Sequence, residues 1–163
     1  MSRVHAMASI DVPAPQRSVF DYVSDVRRHG EWSPRAYRVE GVADGPVSVG
    51  TRYTSIGWLP GDKNHRNDVE VTQMSAPDEL VLTATDRGER FVSTFTLAPI
   101  AGGTRLTRAR VMPKPGGVVG VLFPLILRLL IVPDRNNGLS LLKSRIEAGG
   151  VSRGVDGSPG AAG

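Results

Sequence analysis

The chain has 163 residues, no cysteine and a formal net charge of +4. This length is typical of one domain that can enclose a sizeable core. Without cysteine there are no disulfide bonds and no thiolate chemistry, and the start of the chain lacks the apolar segment of a signal peptide, so we predict a cytoplasmic protein. The 20 basic residues are scattered rather than clustered, which argues against a nucleic-acid surface.

The first part of the chain predicts one strand followed by two short helices. Residues 4–12 alternate between apolar and polar side chains, which is the pattern of a half-buried strand. Residues 18–25 carry apolar side chains at helical spacing, and residues 31–34 predict a second short helical turn that ends at Pro34.

Six further strands are predicted, joined by connections of hairpin length. They span residues 37–42, 50–58, 68–74, 80–86, 90–97 and 104–112. Short links between consecutive strands favour antiparallel pairing. With the helices, this order predicts an α+β fold with one antiparallel sheet.

A long C-terminal helix is predicted over residues 116–147. Its first half is apolar on nearly all sides over 118–132, where Arg128 is the only charge. That stretch is too short to cross a bilayer, which needs about 20 apolar residues. Pro124 and Pro133 predict a kinked or two-part helix, and the sequence from Asn136 to Gly138 weakens it again.

The last residues differ in composition from the rest. Residues 149–163 are rich in glycine and contain serine and proline but few apolar side chains, which is typical of a disordered tail. We therefore predict one domain over residues 1–148 and a tail over 149–163.

Several segments together resemble the START-like superfamily, specifically its SRPBCC or polyketide cyclase/dehydrase-like proteins. They are IDVPAP at 10–15, VFDYVSD at 19–25, WSP at 32–34, GTRY at 50–53 and GTRLT at 103–107. The resemblance implies a helix-grip fold, in which a seven-stranded antiparallel sheet curls around a long C-terminal helix and encloses a hydrophobic pocket. Similar proteins bind lipids, sterols or polyketides, and some are cyclases or dehydratases. The superfamily has no universal catalytic motif.

The candidate ligand-binding residues are those expected to line this pocket. They are Trp32, Tyr53, Val69, Val71, Phe91, Phe95, Arg108, Leu122, Ile126 and Leu129. The alternation of a strand places Phe91 and Phe95 on one face, and Val69 and Val71 likewise share a face. Trp32 fits either a pocket end or ordinary core packing. The pattern leaves the facing of Tyr53 open, and the resemblance favours an inward position.

Arg108 is a charged residue on a strand face that is otherwise predicted to be buried. It shares strand parity with Leu106, Arg110 and Met112, so an apolar inner face would carry both arginines. A buried guanidinium needs a partner. The candidates are a ligand oxygen and the carboxylates of Asp68, Glu70 and Asp86. The alternative is that a twist or bulge turns both side chains to solvent. Arg128 is interpreted either as an anion anchor or as a side chain that reaches the surface.

No metal or cofactor is predicted. His5, His29 and His65 lack the spacing of metal ligands, and no glycine-rich phosphate loop follows a strand.

Three functions are compatible with these patterns. The first is binding, sequestration or transport of a small hydrophobic molecule such as a lipid or polyketide. The second is a polyketide cyclase or dehydratase reaction, in which Arg108, Tyr53 or Asp68 would polarise a carbonyl or move a proton. The third is docking on a membrane surface or partner through 118–132. Monomer and homodimer both remain open, and no nucleic-acid partner is predicted.

Overall fold

A computed structural model describes residues 3–59, 61–114, 116–126, 129 and 132–149. Seven strands form one antiparallel sheet, as the sequence predicts. They are β1 (Arg3–Val12), β2 (Tyr37–Glu40), β3 (Arg52–Leu59), β4 (Asp62–Ser75), β5 (Glu79–Asp86), β6 (Glu89–Ile100) and β7 (Gly103–Pro113). Their order across the sheet is β1-β7-β6-β5-β4-β3-β2, so each strand pairs with a chain neighbour except β1, which pairs with β7.

Strand β4 is longer than predicted. The sequence predicts 68–74, but the strand begins at Asp62, directly after a tight hairpin in which Leu59 pairs with Asp62. The prediction was wrong because the inward positions here are His65 and Asn67 rather than apolar residues. Their polarity hides the alternation that identifies a half-buried strand.

Two short helices follow β1. Helix α1 (Gln16–Ser24) buries Val19, Phe20 and Val23 on one side, as its apolar spacing predicts. The second is a 3₁₀ helix over Val26–Glu31 and not over 31–34 as predicted. Its start is fixed by the Asp25 carboxylate, which accepts a hydrogen bond from the backbone N–H of Arg27 at 3.3 Å.

Two helices are described in the C-terminal segment, α2 (Gly117–Ile126) and α3 (Val132–Ala148), and of residues 127–131 between them the structure describes only Leu129. Pro124 lies inside α2, and the kinked or two-part helix stays a prediction. Pro133 is the second residue of α3, near the helix start, where a missing N–H is tolerated. Helix α3 runs without a break through Gly138, although the sequence predicts a weak point there.

Helix α3 packs across β1 and the 3₁₀ helix. It buries Leu139, Leu142 and Ile146 in the main core. Gly138 faces the loop after the 3₁₀ helix, where an added Cβ would lie 3.5 Å from the carbonyl oxygen of Trp32. Within the described ranges, no helix combines the length and apolarity needed to cross a membrane.

A second, smaller apolar cluster lies under α2. Phe123, which is 8% exposed, packs with Ala6 of β1 and Met112 of β7. Val4 and Phe91 border this cluster. The inner face of the sheet thus has two apolar regions, one under α1 and α3 and one under α2.

Candidate functional site

Both arginines of β7 face the interior. The pairing of β7 with β1 and with β6 runs in regular register, so the alternation from Leu106 to Met112 is kept. Leu106 and Met112 are buried, and the Nε atoms of Arg108 and Arg110 are buried between them. The bulge that would have turned these side chains to solvent does not occur.

Arg108 lies among aromatic rings. Its guanidinium carbon is 5.3 Å from the ring centroid of Phe95 and 5.5 Å from that of Trp32. These distances allow a cation–π interaction, which is stronger where water is excluded. Trp32 and Phe95 meet edge to face, with centroids 6.2 Å apart. The Nε1 donor of Trp32 is buried and has no hydrogen-bond partner within the described structure.

The residues of β1 opposite the arginines are small. Ala8 pairs with Arg108 and Ala6 pairs with Arg110. On the other side of β7, the buried Ser93 pairs with Arg110. Because alanine and serine occupy little volume, the long arginine side chains can lie across the inner face of the sheet.

Two tyrosines from the opposite edge of the sheet complete this polar region. Tyr53 is 5% exposed, and Tyr37 is half-buried on the neighbouring strand. Burial raises the pKa of both phenols, and the positive charge of Arg108 acts against that shift in each. The Ser55 hydroxyl also hydrogen-bonds with Tyr37 and lowers its pKa. Strands β2 and β3 therefore curl far enough to face β7 across the interior.

We call this set of side chains the polar belt. Its members are Tyr37, Tyr53, Ser55, Ser93, Arg108 and Arg110. Along β7 the belt separates Leu106, which belongs to the main core, from Met112, which belongs to the cluster under α2. Along β6 it likewise separates Phe95 from Phe91. The interior is therefore apolar at both ends and polar in the middle.

His29 borders this region as a neutral ring. Its Nε2 donates to the carbonyl oxygen of Val23 at 2.8 Å, and its ring centroid is 5.0 Å from that of Trp32. Burial lowers the pKa of His29 to about 4, although the bond to Val23 acts in the opposite direction. The charge of Arg108 contributes further to the lowering.

A separate polar cluster closes one end of the sheet. The buried ring of His65 contacts Asp62 through Nδ1 at 3.1 Å and Asp86 through Nε2 at 2.8 Å. Hydrogen bonding to Asp86, and next to Asp62, raises the pKa of His65 against the opposing effect of burial. The His65 ring links the β3–β4 hairpin to the β5–β6 hairpin. In the part of the chain that the structure describes, no three His, Asp or Glu side chains are arranged to hold a metal ion.

The structure brings half of the predicted site residues together in the main core. Trp32, Tyr53, Val69, Val71 and Phe95 are all buried there. Phe91 is half-buried beside the second cluster. Of the carboxylates considered for Arg108, Glu70 binds Arg52, Asp86 binds His65, and Asp68 is exposed on β4.

The predicted residues of the C-terminal segment lie elsewhere. Leu122 is 49% exposed and Leu129 is 61% exposed, so neither forms the expected inner wall. Helix α2 turns Phe123 inward, and its neighbour Leu122 therefore faces outward. The side chain of Ile126 and the whole of Arg128 lie outside the described residues, and the enclosed pocket between sheet and helix stays a prediction.

Several belt residues were missed in the sequence. Tyr37 and Ser55 lie in predicted strands, and Ser93 lies midway between Phe91 and Phe95, on the face that alternation gives to both. Parity alone could have placed each of them on the inner face. Parity could not show that β2 and β3 face Arg108, because that depends on the curl of the whole sheet.

Comparison with known proteins agrees with this architecture. A family model described as "Polyketide cyclase / dehydrase and lipid transport" matches residues 3–147. No curated protein sequence matches the chain.

Solved structures show the same fold at low sequence identity. The protein TTHA0849 from Thermus thermophilus aligns with a TM-score of 0.69 and 18% identity, over 91% of this chain and 99% of that one. The KanY protein aligns with a TM-score of 0.65 and 23% identity, over 90% and 99% of the two chains.

A third structure comes from a biosynthetic context. DynU16, described as a putative protein in the dynemicin biosynthetic locus, aligns with a TM-score of 0.60 and 22% identity over 89% of this chain. The alignment covers 48% of DynU16, so this chain spans about half of that protein's length. These likenesses establish the helix-grip fold and leave the ligand to be inferred from the site.

Proposed function

Because the chain belongs to the polyketide cyclase / dehydrase and lipid transport family, we propose that it binds a small hydrophobic molecule between the sheet and α3. The observation that carries the proposal is the polar belt between two apolar regions. Apolar side chains at both ends favour burial of an apolar scaffold, at about 25 cal/mol per Å² of surface removed from water. The belt would then contact polar atoms near the middle of that scaffold.

The polar atoms of the ligand are oxygens that carry or share negative charge. Arg108 and Arg110 contribute two positive charges, and the tyrosine hydroxyls and the Trp32 N–H contribute further donors. A carboxylate, phenolate or enolate oxygen satisfies such donors best, because hydrogen bonds between charged groups are the stronger ones. An aromatic or polyketide-like acid fits this description better than a purely hydrocarbon lipid.

Tryptophan fluorescence tests the proposal, because Trp32 lies 5.5 Å from the guanidinium carbon of Arg108. In a Trp58→Phe background, titration with aromatic polyketide acids, fatty acids and sterols should change the Trp32 emission in a saturable way for at least one acid. No change with any member of the panel would contradict the proposal.

Arg108→Leu tests the role of the charge. It should weaken the binding of an acid about tenfold or more relative to the binding of its neutral methyl ester. This is the loss expected for a hydrogen bond to a charged group. The matched control is Arg105→Leu, since Arg105 is on the same strand but faces solvent and binds Asp11. Equal losses for acid and ester would contradict the charge argument.

Thermal melting of Arg108→Leu must accompany that comparison. If Arg108 chiefly pairs with a buried carboxylate of the protein, removing it should destabilise the fold by about 3–5 kcal/mol. Tyr53→Phe then supplies a second test, because it removes one donor from the belt and keeps the shape of the ring.

A cyclase or dehydratase reaction is the second candidate, favoured by the burial of the Tyr53 phenol, whose pKa the positive charge of Arg108 acts to lower against the larger effect of burial. A phenol that stays protonated at neutral pH can donate to a ketone oxygen. In an aldol cyclisation, the nucleophilic carbon of an enol would bond to that carbonyl carbon as the carbonyl π bond breaks. The carbonyl oxygen would take the phenol proton, the enol O–H would return a proton to the phenol, and loss of water would follow. Mass spectrometry of a poly-β-ketone substrate detects the loss of water, and Tyr53→Phe should slow it while binding persists.

A further inference from the structure

Helix α2 exposes an apolar surface that binding in the interior does not explain. Val121 is 80% exposed, Leu122 49% and Leu125 55%. At 100° per residue these three side chains lie on one side of the helix, while Phe123 on the other side anchors it to the sheet. Leu129, a short distance beyond α2, is 61% exposed. We call Val121, Leu122, Leu125 and Leu129 the α2 patch.

Three basic residues lie close in sequence to the residues that pack under α2. Arg3 precedes Val4, Arg90 precedes Phe91, and Lys114 follows Met112 by two residues. Val4, Phe91 and Met112 all belong to the cluster under Phe123, so the three exposed cations lie at the end of the sheet that α2 covers. The β5–β6 turn at the same end adds Arg87 and the carboxylates of Asp86 and Glu89, and Asp62 is linked to Asp86 through His65. The four named cations still outnumber these three carboxylates.

We propose that the α2 patch docks on an anionic lipid surface. Exposed valine and leucine side chains on a short helix can enter the headgroup and acyl boundary of a bilayer without spanning it. Basic side chains beside them are attracted to anionic lipids, and this attraction falls off within a Debye length of the surface. A second copy of the chain fits less well, because a symmetric contact through α2 would bring the same cations together.

This docking would place one end of the interior against the lipid. Phe123 lies between the α2 patch and the inner face of the sheet, next to Met112 and Phe91. A small shift of α2 at the membrane would therefore open the apolar region under it. Docking itself does not require a bound ligand, so it can be measured independently of the proposed function.

Vesicle flotation tests the proposal on the full chain. Binding is expected to vesicles of phosphatidylcholine mixed with phosphatidylglycerol, to be at least about tenfold weaker to phosphatidylcholine alone, and to fall as salt rises. Equal binding to both compositions, or no binding, would overturn the proposal.

Variants distinguish binding through the α2 patch from nonspecific adsorption to the vesicles. Leu125→Asp and Val121→Asp should each reduce binding at least about tenfold, and Lys114→Glu should reduce it on anionic vesicles. The matched control is Val49→Asp, because Val49 is an exposed valine, at 58%, in the connection between β2 and β3. It should bind like the unchanged protein, and a loss as large as that of Leu125→Asp would contradict the assignment to α2.

Light scattering after size-exclusion chromatography tests whether a second copy of the chain, rather than lipid, covers the α2 patch. The proposal expects Leu125→Asp to leave the mass of the particle in solution unchanged. A dimer that Leu125→Asp converts to a monomer would identify the patch as a contact between copies and overturn the lipid assignment. Unchanged melting of each variant verifies that the fold is retained.

Discussion

Replacing Asp86 by asparagine should destabilise the protein most at mildly acidic pH. Asp86 accepts a hydrogen bond from Nε2 of His65 at 2.8 Å, and the His65 side chain is 9% exposed. Asparagine keeps the shape of the side chain and removes its charge. The Asp86 side chain is 20% exposed, so we expect a loss near the lower end of the range for charged hydrogen bonds, about 1.5 kcal/mol. For a chain of this size that corresponds to a decrease in Tm of about 3–6 °C.

The pH dependence follows from the direction of the pKa shift. Asp86 and Asp62 raise the pKa of His65 above the value of the unfolded chain, about 6.5. The folded protein therefore holds the proton more tightly, and this stabilisation is complete below about pH 6. It declines as the pH rises through the folded pKa. The difference in unfolding free energy between the unchanged protein and Asp86→Asn should accordingly be larger at about pH 6 than at about pH 9.

Urea denaturation at both pH values measures this difference, and groups that titrate equally in the two proteins cancel from it. Asp11→Asn is the control, because Asp11 binds Arg105 in an exposed pair and its pKa is lowered by that hydrogen bond. Both charges of that pair persist from about pH 6 to 9, so its effect should be constant. Parallel stability curves for Asp86→Asn and the unchanged protein across this range would refute the reasoning.

Two further predictions concern glycines and a buried histidine. Gly138→Ala should raise the unfolding free energy by about 0.5–1 kcal/mol in chemical denaturation, since its Cβ would make an ordinary 3.5 Å contact in a helix. Gly103→Ala should instead lower it by about 3 kcal/mol or more, because its Cβ would lie 2.1 Å from the carbonyl oxygen of Val12. The pKa of His29 is lowered to about 4, so the unfolded chain takes up a proton first as the pH falls below 6.5. Calorimetry from about pH 6.5 to 4 should show a loss on the order of 3 kcal/mol that His29→Gln abolishes.

The sequence by itself determined the elements whose apolar positions repeat. Alternation located the seven strands, and it placed Arg108 on the same face as Leu106 and Met112, because a strand in regular register keeps successive side chains on opposite faces. Pro124 and Pro133 likewise predict a kinked or two-part C-terminal helix, since proline removes an N–H wherever it stands, and the two prolines lie in the described helices α2 and α3.

Local patterns failed where polar residues occupy inner positions. The sequence predicts β4 only from residue 68, because the inward-facing residue before it is the polar His65. That side chain is stabilised by Asp86, which lies on another strand. The start of the 3₁₀ helix depends on one side-chain cap at Asp25, which the spacing of apolar residues does not reveal.

Only the tertiary structure decided how the elements meet. The curl of the sheet brings Tyr53 of β3 to the charge of Arg108 on β7, although the two strands do not pair. The packing of α2 turns Phe123 into the sheet and Leu122 to the surface. The sequence of an apolar segment indicates that its burial is favourable but not which of its faces will be buried. The buried face depends on the surface that the rest of the fold presents to it.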